Sequence, residues 1–181
     1  MRTATIDERR LAARINLVNE HMRAVNAHGV DRTMAVLTES PDYKFNDEEF
    51  GGHESVREFY SDVFQGFPDM RYKVVGRYAN DEAIMQEVTM TGTQTNEFCG
   101  IPASGRRIQV PVCAIFLFDE NDQITGERIY LDVALFLMQL GYYLHSNSLR
   151  SHQATTNPNP GSYGQRSPTR RAKSVWSSTS E

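Results

Sequence analysis

The hydrophobic period of this chain changes once, near residue 70, and that change limits the folds open to it. Before it the apolar residues repeat at helical spacing; after it they alternate. Leu11, Ile15, Val18, Met22 and Val25 lie four, three, four and three positions apart, one stripe on a helix of about five or six turns. Thr5 and Glu8 read as its capping box and Gly29 as its stop. Residues 30–38 read as a shorter helix, and Pro41 to Asn46 as a short strand. After Gly51-Gly52, the residues Val56, Phe59, Tyr60, Val63 and Phe64 make a second amphipathic stripe, closed by Gly66 and Pro68. Residues 70–78, 83–93, 107–118 and 123–132 then read as four strands, and 133–140 as a closing helix. Pro111 cannot donate to a ladder, so it is read as a bulge or bend in an otherwise central strand. Helices followed by an unbroken run of strands predict an α+β fold, not a doubly wound α/β one. A curved sheet closed by amphipathic helices makes a cone, and its mouth is a natural ligand cavity.

Charge and composition exclude several classes. Residues 1–150 carry 15 Lys/Arg and 22 Asp/Glu, net −7; residues 151–181 carry four and one, net +3. An acidic body argues against a nucleic-acid surface. No stretch approaches the roughly 20 apolar residues of a membrane span. Cys99 and Cys113 make no disulfide framework and suit a reducing compartment, so the expected location is the cytoplasm. Residues 1–145 are expected to form one domain. From residue 146 Ser, Thr, Asn, Pro, Gly and Gln dominate, which predicts a disordered tail over 146–181. No glycine-rich phosphate loop and no His/Cys cluster at metal spacing is present.

Asp132 interrupts one of the most apolar stretches of the chain. Directly before Val133-Ala-Leu-Phe-Leu-Met-Gln-Leu140 it stands where a helix cap is wanted, and Asp is a preferred cap. Alternation places Tyr130 and Arg128 on its face, so the row either caps a helix or lines a pocket. Arg128 is on the order of 13 Å away, too far to pair with Asp132 along a straight strand. His53, opening the third helix, faces either a cavity or solvent. Glu87 alternates with Met85 and Thr89, which leaves the same two choices.

Three segments carry a family resemblance: Gly52-His-Glu-Ser-Val-Arg-Glu-Phe-Tyr60 with Phe67-Pro-Asp69; Thr91-Gly-Thr-Gln-Thr-Asn-Glu-Phe-Cys-Gly-Ile-Pro-Ala-Ser-Gly105; and Glu127-Arg-Ile-Tyr-Leu-Asp132 with Gln139-Leu-Gly141. Over roughly residues 8–143 the chain resembles the SnoaL-like polyketide cyclases of the NTF2-like superfamily. The resemblance implies a cone-shaped, curved mixed or antiparallel sheet closed by the N-terminal helices. It implies a homodimer with a hydrophobic small-molecule substrate and no metal or cofactor. It makes Asp132 the acid/base of an intramolecular aldol-type ring closure; the candidate substrate contacts read from their positions are Tyr130, His53 and Glu87. One carboxyl serves such a reaction as base and then as acid if burial lifts its pKa toward neutrality. Two departures stand out. The family's histidine on the strand before the aspartate is absent from residues 107–118, and Gln94 replaces a histidine of the Gly-Thr-His-Thr-Gly pattern. They leave room for a non-catalytic binding or dimerisation module, or for an isomerase or hydrolase on the same fold.

Overall fold

A computed structural model of the chain describes residues 7–142. The elements are α1 (Glu8–Asn26), α2 (Val30–Met34), β1 (Leu37–Phe45), β2 (Glu48–Gly51), α3 (Gly52–Gly66), β3 (Arg71–Ala79), β4 (Ala83–Thr93), β5 (Arg107–Phe118), β6 (Ile124–Leu131) and α4 (Val133–Leu140). The fold is α+β with one six-stranded open sheet in the order β2-β1-β6-β5-β4-β3. β1 runs parallel to β6 and every other pair is antiparallel, so the sheet is mixed. The tail expected over 146–181 lies outside the described residues.

Local chemistry sets the boundaries. Asp7 caps α1, its carboxylate accepting from the Arg9 amide at 2.9 Å; Thr5, the expected cap, lies outside the described residues. The helix expected over 30–38 stops at Met34, because β1 begins at Leu37 and runs through Pro41. β2 was not anticipated. Glu48-Glu-Phe-Gly51 has too little apolar alternation to read as a strand and is held by pairing back onto β1.

Pro111 bends nothing: the β4–β5 register runs unbroken through Thr89 opposite Pro111. The ladder to β6 ends at Val112 opposite Leu131. Two residues before Pro111, Gln109 turns its backbone groups to that same side, where the Gln139 side chain meets them. The Gln109 amide donates to Gln139 Oε1 at 2.6 Å, and Gln139 Nε2 donates to the Gln109 carbonyl at 2.9 Å. Pro111 therefore lacks its N–H where no strand needs one. Gly126 is required where β1 and β6 shift register, since any Cβ there would collide with the Asp42 carbonyl.

The inner face of the sheet packs under α1 and α3. Val88, Met90, Val112, Ala114 and Ile129 are buried there, against Val18, Val25, Val56 and Val63 of the helices. At one end Arg14, 3% exposed, ties α1 to two turns. It pairs with Asp122 at 2.6 Å, donates to the Asp81 carbonyl and lies over the Phe118 ring.

Candidate functional site

Between α1, α3, α4 and the inner face of the sheet lies a cavity of about 50 Å³, walled chiefly by Val, Met, Phe, Ile and Leu side chains. Four polar side chains reach its lining: His21 from α1, Tyr60 from α3, Tyr72 from β3 and Glu127 from β6. The helical stripe that buries Val18 and Val25 also buries His21, which is 1% exposed. On β6, alternation sends Glu127, Ile129 and Leu131 inward, and Glu127 is 5% exposed.

These groups form one hydrogen-bonded cluster. The Tyr60 hydroxyl donates to Glu127 Oε2 at 3.0 Å and lies 3.0 Å from His21 Nε2. The Tyr43 hydroxyl, fully buried, lies 3.4 Å from that of Tyr60. His21 Nε2 is also 3.5 Å from Glu127 Oε2. Tyr60 has a single proton and gives it to the carboxylate, so His21 Nε2 carries the hydrogen that meets the Tyr60 oxygen. Nδ1 of His21 is left buried with no partner. Burial first, and then the Glu127 charge, push the Tyr60 and Tyr43 hydroxyls well above the ordinary tyrosine range. The same two causes raise Tyr72. All three phenols stay protonated and remain hydrogen-bond donors at neutral pH.

The residues singled out from the sequence lie elsewhere. Asp132 is exposed and caps α4, its carboxylate accepting from the Leu135 amide at 2.9 Å. Of the two readings open to it, the cap is the one the fold uses, and Asp132 does not line the cavity. Tyr130 is 41% exposed on the outer face of the sheet, because the alternation that buries Ile129 turns it away. Glu87 is on that same outer face, opposite Gly76 and Cys113. His53 is exposed at the start of α3 and donates from Nε2 to the Thr38 carbonyl at 2.8 Å. Arg128 pairs with Asp42 at 2.6 Å rather than with Asp132. Gln94 is fully buried but ties the β4–β5 loop, bonding the Ile101 carbonyl and the Ser104 amide. Residues 107–118 hold no histidine, and the histidine beside the buried carboxylate is His21, from α1.

Glu127 and His21 were missed, although the sequence carries a signal for each. Glu127 is the only charged residue on the face of β6 that also presents Ile129 and Leu131. His21 falls between Val18 and Val25 on the α1 stripe. Among the described residues, no group of three or more His, Cys, Asp and Glu side chains is placed to hold a metal ion. No described helix is long and apolar enough to cross a membrane.

Similar solved structures share this architecture. A proposed SnoaL-like polyketide cyclase from Jannaschia sp. CCS1 superposes with a TM-score of 0.68 at 18% identity, over 80% of this chain and 100% of that one. AclR from Streptomyces galilaeus, a proposed hydroxylase, gives 0.64 at 20% identity, over 72% and 96%. A proposed polyketide cyclase from Xanthomonas campestris pv. campestris gives 0.64 at 20% identity, over 70% and 96%. No curated protein matches the chain. The SnoaL-like domain model matches residues 18–127, which is 110 of 181 residues and runs from the α1 stripe to the cavity carboxylate. With its helix-covered mixed sheet and the cavity between them, the chain belongs to the SnoaL-like family, on the NTF2-like fold.

Proposed function

We propose that the chain is an acid/base enzyme that moves a proton at a carbon acid held in the cavity, with ring closure of a hydrophobic, polyketide-like substrate as its reaction. The observation that carries this reading is Glu127, a carboxylate 5% exposed in the wall of an otherwise apolar cavity. The fold does not choose the reaction, since a proposed cyclase and a proposed hydroxylase share it. The carboxylate and its partners narrow the choice. Tyr60 and His21 hold Oε2, and the carboxylate lines the cavity. Oε1 removes a proton from a carbon flanked by carbonyls. A protonated phenol, that of Tyr72, donates to the enolate oxygen as charge develops there. The carbanion attacks a second carbonyl carbon of the same molecule, forming the new C–C bond. The carboxylic acid then returns its proton to the alkoxide, so one residue serves as base and acid.

The test is turnover of a polyketide ester by Glu127→Gln, which keeps the shape and removes the base. Loss of about 10²- to 10⁴-fold in kcat is expected. Turnover within threefold of the unsubstituted protein, with the fold intact, would sink the mechanism.

The quaternary part of the reading is a homodimer through the outer sheet face. Val75, Tyr78 and Tyr130 are exposed there, and the outward residues Ile115 and Leu117 of β5 are only half-buried. Exposed apolar side chains gathered on one sheet face favour a covering partner.

A further inference from the structure

The cavity lining has an unbalanced inventory of charge. Of its nineteen residues seven are aromatic, and Glu127 is the only Asp or Glu. Among the described residues, no Lys or Arg side chain reaches it. Among the described lining residues, the only group able to carry a compensating positive charge is His21, and its hydrogen bonds are fixed by the cluster: Nε2 faces Tyr60 and Glu127. One buried acceptor has no partner, His21 Nδ1 in neutral imidazole, and the Glu127 carboxylate lines the cavity beside it. The donors are mostly occupied, since the Tyr60 proton already serves Glu127. Aromatic faces carry negative electrostatic potential, so Phe45, Phe59, Phe67 and Phe136 add to the preference that Glu127 sets.

Size restricts the occupant further. Roughly 10–15 Å³ of such space takes one water. A cavity of about 50 Å³, partly open to its surroundings, therefore takes a group of about four or five heavy atoms, whether a whole small molecule or the inner end of a longer one.

The geometry points to a second property of this site: it binds small alkylammonium cations, with an N–H directed at Glu127 Oε1 and the alkyl body against the aromatic walls. This reaches beyond the reaction proposed above, because it concerns which ligands the cavity holds whether or not it transforms them. It shares only Glu127 with that reading. It also states a substrate class in negative form: a molecule whose buried end is anionic is rejected, because it would face the carboxylate with no cation to offset it.

The test uses three probes of similar size on the full chain at matched ionic strength: tert-butylammonium chloride, tert-butanol and sodium isobutyrate. Calorimetric titration, with chemical-shift changes of the cavity aromatics to locate the site, reads the outcome. The cation is expected to bind at least tenfold tighter than the alcohol and the carboxylate not at all. Glu127→Gln is expected to bring cation and alcohol within twofold of each other, and Glu127→Asp to keep the order with weaker binding. Equal affinity for cation and alcohol in the unsubstituted protein overturns the proposal, as does binding of isobutyrate or failure of the cation to bind. If Glu127→Gln does not fold, the three-probe order in the unsubstituted protein still decides. Cation selectivity with unchanged turnover in Glu127→Gln would defeat the catalytic reading alone, and the reverse pattern would defeat this one alone.

Discussion

At the scale of single residues, parity on one strand separates the cavity carboxylate from the residue that draws the eye. Asp132 stands out because it precedes an apolar helix, yet that is the reason it caps the helix. Glu127 is less conspicuous, but it is five residues away and therefore of opposite parity along the strand. Glu127 thus belongs to the same Glu127–Asp132 segment but lies on the opposite face from Tyr130. For His21 the burial was legible from its place on the α1 stripe, but its partner was not: nothing in a stripe of apolar residues says that a buried histidine meets a carboxylate from a distant strand. The cluster they form has a consequence for alkaline stability. Tyr43, Tyr60 and Tyr72 are each raised by burial and then by Glu127. A folded-state pKa above the unfolded value of about 10 contributes stability that is complete below pH 10 and is lost as pH rises through the folded values. Of the eight tyrosines in the chain, these three are expected to resist ionisation until the protein unfolds. Absorbance at the phenolate band, followed with circular dichroism through an alkaline titration, checks this. Smooth ionisation of all eight before any loss of structure would refute it.

At the scale of elements, most of the architecture was legible. β4, β5 and α4 have the bounds that period and turn signals predict, because long alternating runs bracketed by Gly, Pro, Asn and Asp leave little choice. The errors fall where tertiary pairing decides. α2 gives way to β1 at Leu37, and β2 exists only through its ladder with β1. α4 shows how little local sequence is needed once the ends are fixed. Asp132 caps its start, Gly141 ends it at φ 96°, and Gln139 fastens it to β5 through the Gln109 backbone. Asp132→Ala should therefore cost about 1 kcal/mol. That is a fall of about 4 °C in Tm for a domain of this size. Asp132→Asn should retain most of the cap, since Asn is comparable at this position. Thermal unfolding of both variants gives the comparison, and turnover of Asp132→Asn gives a sharper one. A collapse of activity at near-native Tm would restore Asp132 to the chemistry and count against Glu127.

At the scale of the whole molecule, the two faces of the sheet have divided their work. The inner face is roofed by α1 and α3 and holds the cavity. The described residues provide no such roof for the outer face, which carries a cross-strand row of Tyr78, Met85, Ile115 and Arg128, and beside it Glu87, Cys113 and Tyr130. Apolar and aromatic side chains along the row, with the charge of Arg128 at one end, suit a two-fold contact, in which the same surface serves both partners. Ile115 lies near the middle of the row and points away from the cavity that its neighbour Ala114 lines. Ile115→Asp would place a carboxylate in the centre of the contact while leaving the inner face untouched. Light scattering of the full chain should give a dimer mass, and Ile115→Asp should give a monomer with unchanged circular dichroism. Since the cavity is built within one chain, cation binding should persist in that monomer. A monomer mass for the unsubstituted protein at micromolar concentration would exclude the dimer and leave the outer face as an exposed surface of a different use.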